Sequence, residues 1–230
     1  MADGYHPPLE EYLEAIHSLG EEGVEVIQAR LVERLGHSPQ AVSEMVRRLA
    51  HDGYVSRARR GVALTDRGAA RAESVVRRHR LAERFLVDVV GLSWTRAHVE
   101  AGRWEHVISD EVEARFFEIL GHPTTCPHGN PIPGAPGAPT DPLPQRAIAG
   151  AEPGEHVVLA RITEQLEIDG DALGYLGDHG IVPGRGATVR SKAPDGTLTL
   201  DLDASDGPGG SPHTVAVGAA MCRQIYVASS

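Results

Sequence analysis

Eight prolines fall between Pro123 and Pro144, interleaved with glycines. Proline lacks a backbone N–H and fixes its own φ, so neither a packed helix nor a central strand passes through such a stretch. The chain must therefore fold as separate parts on either side of it, and 230 residues allow one to three domains. On the N-terminal side the apolar residues follow helical spacing. Leu9, Leu13, Ile16 and Leu19 mark a first helix closed by Gly20 and Gly23, and Ile27, Leu31 and Leu35 a second that stops at Gly36. Ser38-Pro39 is an N-cap with proline at the first helical position, and Val42, Met45, Val46 and Leu49 line one face of the helix it starts. Tyr54-Val55-Ser56 and Val62-Ala63-Leu64 flank an Arg-rich turn and read as a hairpin, so the pattern is that of a winged helix-turn-helix. A long helix over roughly 66–90 follows, then helical stretches near 95–108 and 109–120.

Beyond the prolines the pattern changes. Short apolar–polar alternations such as Val157-Val158-Leu159-Ala160 and Thr214-Val215-Ala216-Val217 are separated by Gly, Pro and Asp, which predicts a small all-β domain. Aromatic residues are only 4% of the chain, so its cores must be built from Ala, Val and Leu. No apolar run approaches the ~18 residues of a membrane span, and Met1 to Pro8 lacks the basic and apolar regions of a signal peptide. Cys126 and Cys222 are too few for a disulfide framework. The expectation is a soluble, cytoplasmic protein.

The net charge of −10 conceals a basic segment. Residues 1–27 carry seven acids and no Lys or Arg, whereas residues 28–80 carry twelve Arg against five acids. A local basic patch matters more for nucleic-acid binding than the global balance. The helix from Ser38 to His51 presents small and polar residues, Ser38, Pro39, Gln40 and Ser43, followed by Arg47 and Arg48. Small side chains allow approach to base edges, and Gln and Arg reach bases or phosphates. Gln28 opens the preceding helix, and Arg57, Arg59 and Arg60 at the wing tip suit phosphate or minor-groove contact. An Arg-rich solvated face is the plainer alternative. The cap, glycine turn and hairpin together favour DNA.

A second constellation points to metal. His79 and Glu83 are four apart on the long helix and share a face. His98, Gly102, Glu105 and His106 share another at i, i+4, i+7 and i+8. Imidazoles and carboxylates in this number are a ligand set for divalent Fe, Mn, Co, Ni or Zn, although each His taken alone reads more readily as a surface or hydrogen-bonded histidine. No HExxH motif or nucleophile elbow accompanies them, so the competing class, a metal-dependent hydrolase, leaves the basic helix-turn-helix unexplained.

These same residues carry a resemblance. His79-Arg-Leu-Ala-Glu-Arg-Phe-Leu-Val-Asp88, Arg103-Trp-Glu-His-Val-Ile-Ser-Asp-Glu-Val112 and Gly129-Asn-Pro-Ile-Pro-Gly134 resemble the diphtheria toxin repressor family of iron- or manganese-dependent bacterial transcriptional repressors. The resemblance implies a homodimeric, non-enzymatic α+β protein that binds operator DNA when loaded with Fe(II) or Mn(II) at two sites per chain. It divides the chain into a winged-helix DNA-binding domain (1–74), a helical metal-binding and dimerisation domain (75–134), a Pro/Gly-rich linker (135–148) and an SH3-like β-barrel (149–230). It implies an ancillary site of His79, Glu83 and His98, completed by Glu164 and Glu167 from the barrel. It also implies a primary site of Glu105 and His106 with a methionine and a cysteine, but those two positions hold Glu11 and Gly102 here, which offer a carboxylate and a backbone carbonyl in their place. Loss of both sulfurs and gain of a carboxylate shift preference toward Mn(II) or Fe(II). Glu10, Cys126 and His128 are alternative donors, of which Cys126 and His128 are expected to be structural. A degenerate primary site, with metal serving structure alone, is the variant reading.

Arg47→Ala, Arg48→Ala and Arg60→Ala are each expected to weaken DNA binding, and a phosphate-contacting Arg lowers the salt slope by about one unit. Titration at several salt concentrations reads both quantities. Unchanged affinity and slope in all three variants would refute this orientation of the winged helix.

Overall fold

The computed structural model describes residues 8–58, 61–137, 145–204 and 210–229. Helix α1 (Pro8–Glu21), α2 (Gln28–Leu35) and α3 (Pro39–His51) precede a hairpin of β1 (Val55–Ala58) and β2 (Gly61–Leu64). Tyr12, Leu13, Ile16, Leu19, Leu31, Val42, Val46 and Leu49 form their common core. The expected cap is present, with Ser38 Oγ accepting from the Ala41 N–H at 3.2 Å. Exposed on α3 are Pro39, Gln40, Arg47 and Arg48, with Ser43 half-buried on the same helix, while Gln28 is half-buried at the start of α2. Arg57 is exposed on β1, and Arg59 and Arg60 lie outside the described residues.

Helix α4 (Asp66–Asp88) starts at a Thr65 cap and continues through the 74/75 division without a break. It packs against α1, α5 (Trp94–Trp104) and α6 (Asp110–Ile119). The proline-rich loop after α6 folds back on α4, where Arg84 donates to the carbonyls of Thr125 (3.0 Å) and Cys126 (3.2 Å). Among the described residues no helix is long and apolar enough to cross a membrane.

Among the described residues the C-terminal domain forms one antiparallel six-stranded sheet in the order β3-β8-β4-β5-β6-β7. Its strands are β3 (Gln145–Ala147), β4 (His156–Ile162), β5 (Gly186–Lys192), β6 (Leu198–Leu202), β7 (His213–Val217) and β8 (Ile225–Ser229). Short helices α7 (Glu164–Glu167), α8 (Gly170–Asp178) and α9 (Ala219–Cys222) complete it. Strand β3 lies inside the stretch expected to be linker. It is only three residues long, and its pairing with β8 is set by distant sequence rather than by local alternation. Residues 138–144 of that linker lie outside the described residues.

The barrel is docked on the helical part. Trp94 of α5 packs against the barrel core, and Thr95 Oγ1 donates to the Gly170 carbonyl at 3.3 Å. At β4 the pairing with β8 shifts between Leu159 and Arg161, a bulge. Gly129 sits against this bulge, where an added Cβ would lie 2.2 Å from the Ala160 carbonyl oxygen. Its φ of +86° also favours glycine, so the loop closes on β4 only because this residue has no side chain. The Ile162 N–H then donates to the His128 carbonyl at 2.9 Å.

Arg80, 1% exposed, joins the parts. Its guanidinium bonds both Glu21 oxygens (2.9 and 2.5 Å) and the Pro131 carbonyl, and lies 3.5 Å from Glu164. Burial alone would raise the Glu21 carboxyl, but Arg80 outweighs it and holds the group well below the usual carboxylate range. A depressed carboxylate contributes stability above its unfolded value, about 4.3, and loses it as pH falls toward the folded value. Glu21→Gln is therefore expected to lower stability by about 3 kcal/mol at pH 7 and to flatten its decline below pH 4. Urea unfolding at pH 7, 4 and 3 measures both. A variant as stable as wild type at pH 7 would show the pair to be dispensable.

Candidate metal centre

Helix α1 carries Glu10, Glu14, His17 and Glu21 at i, i+4, i+7 and i+11, one stripe along one face. That stripe lies on α4. Glu10 pairs with Arg71 and with His106 (2.5 Å to Nδ1), Glu14 lies with His79 and Glu105, and Glu21 takes Arg80. The opposite side supplies Tyr12, Leu13, Ile16 and Leu19 to the DNA-binding core. One helix thus belongs to both.

Helix α4 contributes His79 and Glu83, both buried and one turn apart. From α5 comes His98, and just past its end come Glu105 and His106. Glu83 Oε1 lies 3.2 Å from His79 Nε2 and 2.9 Å from His98 Nδ1. The barrel's α7 brings Glu167, 3.3 Å from His98, and Glu164, 3.9 Å from His79. The five residues assigned to the ancillary site therefore meet in space.

Two more donors join them. His128 Nδ1 is 3.1 Å from Glu167 and 3.4 Å from Glu83, with Cys126 Sγ at 3.9 Å. Cys126 and His128, expected to be structural rather than primary-site donors, lie away from Glu105 and His106 in sequence, but the proline-rich loop turns both side chains inward and their donor atoms lie within 4.8 Å of Glu83's. His79, in turn, faces two ways, since its Nδ1 bonds Glu105 while its Nε2 faces Glu83.

Glu105 and His106 are adjacent to each other (3.0 Å), but Glu11 is not with them. Glu11 is half-buried, and its side chain makes no hydrogen bond or ion pair among the described residues. It sits one position, about 100°, around the helix from the acidic stripe, so Glu10 and Glu14 reach the centre instead. Glu14 was legible as the i+4 partner of Glu10. Gly102 faces open space, with no atom within 4 Å of an added Cβ.

The donor set fits a divalent cation. Among the described residues Glu83 Oε2 and His128 Nε2 are buried without a hydrogen-bond partner, an expensive arrangement unless something else binds there. Imidazole and carboxylate donors with one thiol suit first-row divalent metals. In the absence of a cation, protons hold the acids together. Burial would lower His98, but hydrogen bonds to Glu167 and Glu83 prevail and raise it to about 9. Burial likewise opposes the charged forms of His79 and His128, and neighbouring carboxylates push both well above the ordinary histidine value. Glu105 falls to about 2, its burial outweighed by His79 and His106. Glu14 shifts oppositely, raised by burial and by the Glu105 and Glu164 charges.

The comparisons with known proteins agree on the kinship. Residues 6–63 match the family described as iron dependent repressor, N-terminal DNA binding domain, and residues 65–134 match its metal binding and dimerisation domain. Residues 147–229 match the FeoA domain. The iron-dependent repressor IdeR of Mycobacterium tuberculosis is 44% identical over 200 residues, covering 83% of this chain and 86% of that one. The chain belongs to the iron-dependent repressor family. The diphtheria toxin repressor of Corynebacterium diphtheriae is 38% identical over 209 residues, 86% of this chain and 89% of its own. A solved manganese-dependent transcriptional repressor in complex with manganese superposes with a TM-score of 0.83 at 34% identity, over 96% of this chain and all of that one. The structure of ScaR with bound zinc gives 0.76 at 26% identity, over 97% and 100%. This member of the iron-dependent repressor family therefore has the family's winged helix-turn-helix, helical dimerisation domain and C-terminal SH3-like domain, an α+β architecture.

The raised histidines fix the sign of a pH effect. A group raised on folding stabilises fully below its unfolded value, about 6.5, and stops doing so as pH climbs through its folded value. Metal-free protein is thus expected to lose thermal stability between pH 6.5 and 9, whereas Mn(II), by replacing the protons, should flatten that decline. Melting curves in chelator and in Mn(II) test this. A metal-free protein equally stable across the window would contradict the proton-held centre.

Proposed function

We propose that the protein is a homodimeric transcriptional repressor that binds operator DNA when loaded with a divalent metal, Fe(II) or Mn(II), and so controls metal-homeostasis genes. The observation that carries this reading is the double membership of α1: its acidic stripe faces the metal donors while its apolar side builds the DNA-binding core. Two centres per chain are inferred. One comprises His79, Glu83, His98, Glu164 and Glu167, with Cys126 and His128 beside them. The other comprises Glu105 and His106 with Glu10 and Glu14, in place of Glu11 and Gly102.

When bound, the cation supplies positive charge that lets these carboxylates lie together deprotonated beside neutral imidazoles. Glu10 and Glu14 draw α1 onto α4 and α5, and the shared core carries α2, α3 and the wing with it. Coupling of this kind requires metal to favour the DNA-competent arrangement. The dimer reading rests on Val89, Val90, Val99, Val107, Val112 and Ile119, exposed apolar side chains on α5, α6 and the turns that follow α4 and α5. A two-fold contact burying them places two α3 helices for successive major grooves.

Mn(II) is expected to raise DNA affinity at least about tenfold in wild type. Glu14→Gln should abolish most of that gain while Glu11→Gln preserves it, both retaining metal at the His98 centre. Gel retardation and metal analysis of the same samples read the two effects. The reverse ranking of the two variants would return Glu11 to the site, and DNA binding indifferent to metal in wild type would leave metal a structural role only.

A further inference from the structure

Arg161 is a buried guanidinium without an acid. It is 8% exposed, yet among the described residues no carboxylate lies within ion-pair distance of it. Its acceptors are neutral: Gln145 Oε1 at 3.1 Å, Asn130 Oδ1 at 3.4 Å and the backbone carbonyl of Glu21 at 3.0 Å, with the Tyr226 ring 4.3 Å beneath it. Burying an unpaired charge is costly. The partner with the largest fixed dipole is the C-terminal end of α1, where unsatisfied carbonyls carry partial negative charge. Tyr226 adds a second contact there, its hydroxyl donating to the Glu22 carbonyl at 3.4 Å.

Sequence explains how a barrel side chain reaches that helix. Arg161 lies at the β4 bulge, and bulges re-aim the side chains beside them. Gly129 packs against the same bulge, which brings Asn130 alongside. Asn130 Nδ2 donates to Glu167 Oε1 at 2.6 Å and to the Ile162 carbonyl at 2.7 Å. Asn130 thus contacts a metal-centre carboxylate through its N–H and Arg161 through its oxygen. A continuous set of contacts runs from Glu167 through Asn130 and Arg161 to the last turn of α1.

We propose that Arg161 is a positioning residue: through it the C-terminal barrel holds the end of α1, and with α1 the DNA-binding domain, in register with the metal centre. The barrel then does more than supply Glu164 and Glu167. It clamps α1 at the end opposite Glu10 and Glu14, so metal bound beside Glu167 favours the docked helix through Asn130 and Arg161. Second-layer groups that orient metal ligands commonly act in this way. The idea rests on the proposed metal-dependent repressor function.

The test uses the full chain, Mn(II) alone as the metal, and a DNA duplex selected from a random pool by Mn(II)-loaded wild type. Arg161→Met is compared with wild type in three measurements: Mn(II) bound per chain, amide exchange over residues 18–24 without metal, and the gain in DNA affinity on adding Mn(II). Expected are unchanged Mn(II) stoichiometry, exchange about tenfold faster over 18–24 with the barrel strands unaffected, and an affinity gain about tenfold smaller. Wild-type exchange and a wild-type gain in the variant would overturn the proposal. So would loss of Mn(II) from the variant, which would make Arg161 a support for the ligands alone. If Arg161→Met does not fold, Arg161→Lys, which keeps the charge but loses the planar fork, is read by the same criteria. A wild type that selects no duplex or ignores Mn(II) counts against the repressor function instead, and the metal-free exchange still decides whether Arg161 holds α1.

Discussion

The buried Arg80 guanidinium organises the molecule. It sits where α1, α4, the proline-rich loop and the barrel converge, and each of those four elements is tied to it or carries it. A guanidinium there cannot be left with half its partners, because the desolvation cost is borne whether or not the contacts form. Docking is therefore cooperative: α1 cannot leave without stranding Arg80, nor can the barrel move without removing Glu164. The arrangement places α1 against α4, and that placement in turn brings Glu10 and Glu14 to Glu105 and His106.

The same logic governs the centre beside it. Glu83, Glu105, Glu164 and Glu167 share a small volume with His79, His98, His106 and His128. So many acids coexist only when something positive is interleaved, whether a proton on an imidazole or a cation. The fold thus builds a place whose charge must be completed from outside the chain.

What the sequence disclosed followed the range of the chemistry involved. The Ser38-Pro39 cap, the Gly36 stop and the hairpin are local, decided by residues within a few positions, and the structure forms them where the pattern placed them. His79 and Glu83 were visible because one helix turn relates them. Glu164 and Glu167 came only from family resemblance, since nothing near them in the chain announces a partner on α4. Glu11 occupies the position of the family's methionine, whereas the 10, 14, 17, 21 spacing identifies the face that meets α4. Cys126 and His128 depended on how a proline-rich loop closes over a strand bulge more than thirty residues away, a contact that no periodicity encodes. Strand β3 was hidden for the same reason, as three residues whose partner lies at the far end of the chain.

Gly102 lies on α5 one turn beyond His98, with empty space where a side chain would begin. Most positions near a buried site are held by packing, so a change in donor there disturbs the core around it. At Gly102 a Cβ can be added without moving its neighbours. Helix α5 therefore accepts a side chain at this position without repacking, and the glycine there is a matter of backbone freedom rather than of close approach.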